Sequence, residues 1–149
     1  MLETQILEYQ TNSPEETEAL GERLASILHG GEVLAFYGGM GMGKTAFTRG
    51  LARGLGITEG VSSPTFALVH EYSGNIPLYH FDMFRVSGWD DLYSTGFFDY
   101  LETDAVLAIE WSENIEGALP EGTIRIEICG GEQESQRVIR ISGLKERLL

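Results

Sequence analysis

An α/β domain with a mixed central sheet is the fold class that the 149-residue sequence predicts, and three observations lead there. Two short, unbroken apolar runs, "EVLAFYG" (32–38) and "AVLAIEW" (105–111), have the length of strands buried on both faces. Segments with a helical apolar period stand beside them. Two further pairs of alternating runs, 66–72 with 76–82 and 123–129 with 137–142, read as hairpins, whose strands must be antiparallel while strand-helix-strand units favour parallel neighbours. No internal repeat, linker or low-complexity tract divides the chain, so residues 1–149 are expected to form a single domain.

Taken in order, "TQILEYQ" (4–10) alternates as a strand. Ser13, Pro14 and Glu16 then supply an N-cap, a first-turn proline and a capping-box acid for a helix whose apolar face is Leu20, Leu24, Ile27 and Leu28. After the first buried strand, "KTAFTRGLARGL" (44–55) repeats Phe47, Leu51 and Leu55 every four residues, a helix stripe. "TEGVSSPT" (58–65) has a loop composition, and the run 66–72 should turn at Ser73-Gly74-Asn75 and return over 76–82. "SGWDDLYSTGFFDYLE" (87–102) predicts two short helical pieces broken at Gly96, with Leu92, Tyr93, Phe97, Phe98 and Leu101 facing the core or packing. The second buried strand ends on Glu110 and Trp111, a hairpin around "GGEQESQ" (130–136) follows, and "GLKERLL" (143–149) is expected to close the chain as a last helical turn.

Composition excludes several classes of function. Ten basic and twenty-three acidic residues leave a net charge of −13, a field that repels phosphate backbones and argues against direct binding of RNA or DNA. No run approaches a membrane span, and "MLETQILEYQ" lacks the pattern of a signal peptide. The lone Cys129 can form no internal bridge and is expected to be a small buried hydrophobe in a reducing compartment. A soluble cytoplasmic protein is the expectation.

Against that acidic background, "YGGMGMGKTAFTRGL" (37–51) is a phosphate-binding sequence. Gly38, Gly43, Lys44 and Thr45 fit GxxxxGK[ST], in which bare backbone lets N–H groups converge on an anion that side chains would exclude. The stretch lies between a buried strand and a helix, so a P-loop NTPase-like, three-layer arrangement follows. The helix N-terminus adds its free N–H groups and dipole, Lys44 reaches the β- and γ-phosphates, and the Thr45 hydroxyl holds Mg²⁺. Gly39, Gly41, Met42 and Ala46 complete the cradle. The absence of NKxD, a guanine reader, leaves ATP as the nucleotide by elimination.

In open α/β sheets ligands lie beyond the carboxyl ends of the parallel strands. If 105–111 runs parallel to 32–38, Glu110 arrives beside the loop as a Walker B-type carboxylate for the metal or the attacking water; its bland counterpart is a solvated strand-end glutamate. If Thr65 leaves the nucleotide side, a hairpin of equal arms returns Asp82 next to it, placing a hydroxyl and a carboxylate at the γ-phosphate; alternatively they are a turn and a strand-end cap. Arg85 is either a charge partner for that region or a structural ion-pair residue. Trp111 offers a flat face to a base or a partner, or packs in the core. His70 and His80 alternate with apolar residues and read as structural.

The ordered set "YGGMGMGKTAFTRGLARGLG", "SSPTF", "YHFDMFR" and "IEW" resembles the TsaE (YjeE) family over about residues 5–145. That resemblance implies a small cytoplasmic ATPase of tRNA threonylcarbamoyladenosine modification. Its partner would be a TsaB–TsaD type complex, and it would meet tRNA only indirectly. It also implies Lys44 and Thr45 on phosphate and Mg²⁺, Thr65 in a switch-like loop, Asp82 and Glu110 near metal and hydrolytic water, and Trp111 beside the nucleotide. Where many relatives carry an acidic residue after the first loop glycine, this chain has Gly39; where they carry a small residue, it has Met42. A slow, partner-activated ATPase switch is the leading reading. A small-molecule P-loop kinase and a nucleotide-loaded adaptor without turnover are the alternatives.

Overall fold

Ser13 starts the first helix as its residue type demands. Its hydroxyl accepts from Glu16 N at 3.1 Å, and the Glu16 carboxylate in turn accepts from the Asn12 N–H at 2.9 Å, a capping box displaced by one residue. The computed structural model describes residues 5–39, 41–61 and 69–144. Its elements are β1 (Ile6–Thr11), α1 (Pro14–Ala25), β2 (Val33–Tyr37), α2 (Lys44–Gly54), β3 (Val69–Tyr72), β4 (Leu78–Asp82), α3 (Trp89–Ser94), α4 (Phe97–Tyr100), β5 (Val106–Glu110), β6 (Ile124–Gly130) and β7 (Arg137–Ser142). A kinked 3-10 stretch, Ser112–Ala118, follows β5.

All seven strands join one sheet in the order β1-β7-β6-β2-β5-β4-β3. β2 is parallel to both β5 and β6, and β4 is parallel to β5, whereas the β1–β7, β6–β7 and β3–β4 pairs are antiparallel. The predicted mixed sheet is therefore present, and β2 and β5 at its centre are the two continuous apolar runs. Leu34, Phe36, Val106 and Ala108 face α1 and α2, where they pack with Phe47, Leu51 and Leu55. Val33, Leu107 and Ile109 face the other way, toward Phe81, Leu92, Phe97 and Ile115. Helices on both faces complete three layers.

The contact between α1 and α2 depends on small residues. A Cβ added at Gly50 would stand 1.7 Å from the Glu18 carbonyl oxygen, so only glycine permits this approach.

Three expectations change. α1 ends at Ala25, leaving Ile27 and Leu28 beyond it as residues packed on the same core. The β3–β4 connection spans five residues, since Tyr72 pairs with Leu78. The Ile76 N–H is donated instead to the Leu55 carbonyl at the end of α2, and Pro77 has no N–H for the ladder. Cys129 is only partly buried, because the two-residue strand period puts it with Arg125 and Glu127 on the face opposite Ile124, Ile126 and Ile128. Nothing local predicts the 3-10 stretch: "SENIEGA" has no clear apolar period and is organised by tertiary contacts. The break at Gly96 is as expected, with φ +78°. Residues 145–149 of the expected terminal turn lie outside the described residues.

Candidate functional site

The loop after β2 carries positive φ at Gly38 (+127°), Gly41 (+75°) and Gly43 (+105°), angles that L side chains rarely adopt. Gly38 has a second constraint, for a Cβ there would lie 2.3 Å from the Ile128 carbonyl oxygen of β6. At Gly41 a Cβ would meet nothing within 4 Å, so that glycine opens space toward the ligand side. Gly43 is the residue before α2. These three glycines therefore serve two purposes, a sharp backbone path and an open concave face. Gly39 is exposed and has no positive φ, and Met42 is half-buried against the core.

Lys44 opens α2, is 8% exposed, and folds its ammonium back onto the Gly38 carbonyl at 3.1 Å. Among the described residues it has no carboxylate partner, and the ammonium stands 5.9 Å from the Trp111 ring centroid. An un-neutralised buried cation at a helix N-terminus is an anion site by electrostatics alone. Thr45 is half-buried one residue later and Ala46 is buried in the same turn.

Parallel pairing of β2 with β5 brings Glu110 out at the loop end of the sheet, as the direction argument expects. Asp82 is opposite Glu110 in the parallel register of β4 and β5, so both carboxylates share the face covered by α2. Asp82 also accepts the Phe84 N–H at 2.9 Å, a local turn that orients its side chain. Glu110 is 8% exposed, and its Oε2 is 2.6 Å from His80 Nε2. Thr65 lies outside the described residues, so its pairing with Asp82 does too. Arg85 is exposed and forms no ion pair among the described residues.

Trp111 has φ +60° and ψ +40°, and no other non-glycine among the described residues has a positive φ. Strain of this kind in a bulky residue concentrates at functional sites. Its ring is half-buried, with the Phe84 ring centroid 4.9 Å away and the Lys44 ammonium also within reach. It thus packs on the core and borders the loop at once. His70 is half-buried in β3, its Nδ1 3.1 Å from the Tyr72 hydroxyl.

On the β6–β7 side of the loop lies a cavity of about 610 Å³, lined by Ser13, Pro14, Thr17, Gly41, Gly43 and Ala46 and by the β6–β7 turn residues Gln133, Glu134, Ser135 and Arg137. Arg137 donates to the Met42 carbonyl at 3.0 Å and to those of Glu134 and Gln136, each at 2.7 Å, tying that turn to the loop. Nothing in "GGEQESQR" signals this, because it depends on β6 lying next to β2. The loop therefore separates an open cavity from the Asp82–Glu110 carboxylates.

A model of the family described as "Threonylcarbamoyl adenosine biosynthesis protein TsaE" matches residues 11–139. The chain belongs to the TsaE family. It is 38% identical over 145 residues to the tRNA threonylcarbamoyladenosine biosynthesis protein TsaE of Bacillus subtilis, covering 96% of this chain and 90% of that one. It is 40% identical over 114 residues to the Haemophilus influenzae TsaE, covering 72% of each. The crystal structure of Bacillus subtilis YdiB superposes with a TM-score of 0.73 at 34% identity, over 92% of this chain and 84% of that one. Family membership thus rests on most of the chain rather than on the loop alone.

Proposed function

We propose that residues 1–149 act as one cytoplasmic, ATP-binding and slowly hydrolysing P-loop domain required for threonylcarbamoyladenosine modification of tRNA. It works as a switch on a TsaB–TsaD type complex. The observation that carries this reading is the arrangement around α2. A glycine loop and a buried Lys44, with no carboxylate partner among the described residues, stand between an open cavity and two carboxylates in register on adjacent parallel strands. That polarity suits a nucleotide with its nucleoside toward the cavity and its γ-phosphate toward Asp82 and Glu110. The relatives' names supply the pathway.

No group of three or more His, Cys, Asp or Glu among the described residues is placed to hold a metal. This fits Mg²⁺, which keeps several waters and binds through one or two carboxylates together with phosphate oxygens. Thr45, Asp82 and Glu110 would hold the ion directly or through water. When bound, it would neutralise charge on the phosphates. Lys44 binds and orients the phosphates, the loop amides solvate them, and Glu110 orients the attacking water; Thr65 in its switch-like loop completes the set.

Isolated turnover is expected to be slow, because no arginine is placed as a finger among these residues and P-loop enzymes gain about a thousandfold or more when a partner supplies one. The net charge of −13 favours docking on protein over direct contact with tRNA. The test is capture of TsaB and TsaD by this protein in ATP, ADP and no nucleotide, with phosphate release measured alongside. Nucleotide-dependent capture and stimulated release are expected. Equal capture in all three states, or full-rate hydrolysis indifferent to both partners, would overturn the switch.

A further inference from the structure

His80 lies in β4 two residues before Asp82, is completely buried, and puts Nε2 2.6 Å from Glu110 Oε2. Its other ring nitrogen, Nδ1, has no hydrogen-bond partner among the described residues. A carboxylate only accepts, so Nε2 carries the proton and donates it. Purely structural buried polar groups are satisfied at every atom far more often than not, and an aromatic hydrocarbon would fill this position without leaving a nitrogen unpaired. The Glu110 bond is the one hydrogen bond that the described residues give the His80 imidazole. Among those residues it is also the sole hydrogen bond of the Glu110 side chain, leaving Oε1 as the unengaged acceptor.

We infer that His80 is the positioning residue for Glu110: its Nε2–H holds Oε2 inside the sheet and thereby presents Oε1 to the phosphate end of the site. The inference rests on Glu110 acting there, as proposed above. A glutamate side chain with three rotatable torsions needs such a tether, since sub-ångström placement of a catalytic carboxylate comes from the groups behind it. The strands supply the rest. β4 and β5 pair with His80 beside Ala108 and Asp82 beside Glu110, so the imidazole and the carboxylate project from the same face at fixed spacing.

Two measurements test this. In the nucleotide-free protein, nitrogen-15 NMR of labelled histidines should show a slowly exchanging Nε2-bound proton on His80 that moves in Glu110→Gln. A His80 protonated only on Nδ1, or a signal indifferent to Glu110→Gln, overturns the inference without reference to ATP. Stimulated MgATP hydrolysis and calorimetric MgATP affinity are then compared in His80→Phe and His80→Gln. Phenylalanine keeps the shape and removes the donor, and turnover should fall about 10–100-fold with affinity nearly unchanged. Glutamine can place an amide N–H at the Nε2 position and should restore most of the loss. Wild-type turnover in His80→Phe, no recovery in His80→Gln, or affinity falling in step with turnover would each refute the positioning role. Should His80→Phe not fold, His80→Gln and the NMR signal decide. A wild-type protein that neither binds nor hydrolyses MgATP refutes the ATPase reading, while the NMR result still settles the His80–Glu110 tether.

Discussion

On one face of the sheet, α1 and α2 approach until backbone meets backbone, with the Glu18 carbonyl lying where a Gly50 side chain would begin. On the other, two helices of six and four residues are held by rings: Phe81 on Phe97 at 5.7 Å and on Tyr100 at 5.1 Å, and Tyr93 on Phe98 at 5.0 Å. That outer layer leaves Trp89 55% and Tyr93 66% exposed. The first face supports the N-terminus of α2 and therefore the phosphate loop, where small displacements matter. The second covers the sheet without positioning the loop directly. Close backbone packing cannot relax when disturbed, whereas an aromatic layer can re-pack around a lost ring.

The largest effect should come where the first face carries the chemistry. Glu110→Gln is expected to lower phosphate release by about 100-fold or more, as for loss of a general base or water-positioning group, while calorimetry still detects MgATP. An adaptor that only carries nucleotide would keep its function in this variant. Next comes Gly50→Ala, expected to destabilise the fold by about 3 kcal/mol or more because Cβ has a carbonyl rather than a flexible side chain in its way; denaturant unfolding measures it. An unchanged midpoint would remove the distinction between the two faces. Lys44→Met should weaken MgATP about 10–100-fold, the loss of a charge-assisted contact worth about 1.5–3 kcal/mol, read by calorimetry. On the second face, Tyr93→Ala should change stability by only about 0.5 kcal/mol, and a large loss of cooperativity in its unfolding curve would place that layer on a par with the first.

The smallest effect is one of pH. Burial, then the hydrogen bond to the Glu116 carboxylate, pushes the Tyr37 hydroxyl up to about 12. The pair extends to Arg125, whose guanidinium is 2.8 Å from Glu116. Burial works against the Glu116 charge, but hydrogen bonds from Tyr37 and Arg125 outweigh it and hold the carboxyl below its usual range. With the folded tyrosine raised above its unfolded value, this contribution is complete below pH about 10 and is lost as pH rises toward about 12. Glu116 acts in the opposite direction: its contribution is present above the ordinary carboxylate range and is lost as pH falls through the lowered value. Unfolding of Tyr37→Phe across the alkaline range should lack the first loss, modestly, since these groups are partly solvated.

The central strands, the glycine loop, the α1 cap and the break at Gly96 could be read directly because each depends on local chemistry: apolar run length, bare backbone before Lys-Thr, a hydroxyl three residues ahead of a glutamate. Glu110 was reachable by one further step, the rule that parallel strands end at the ligand. His80 reads as structural in the sequence, since a histidine between apolar neighbours looks the same whether or not a carboxylate stands across from it. Arg137 gave no signal, being 95 residues from the Met42 carbonyl it holds.

What the chain dictates by itself is a phosphate loop between a buried strand and an amphipathic helix, because those features are written in residues that touch their own neighbours. Which carboxylates share a face, which arginine ties the turn to the loop and which histidine stands behind Glu110 follow from strand order. β6 and β5 both lie against β2, and β4 against β5. Such partners are far apart in sequence, so their identity is set by the register of packed strands and by no local pattern.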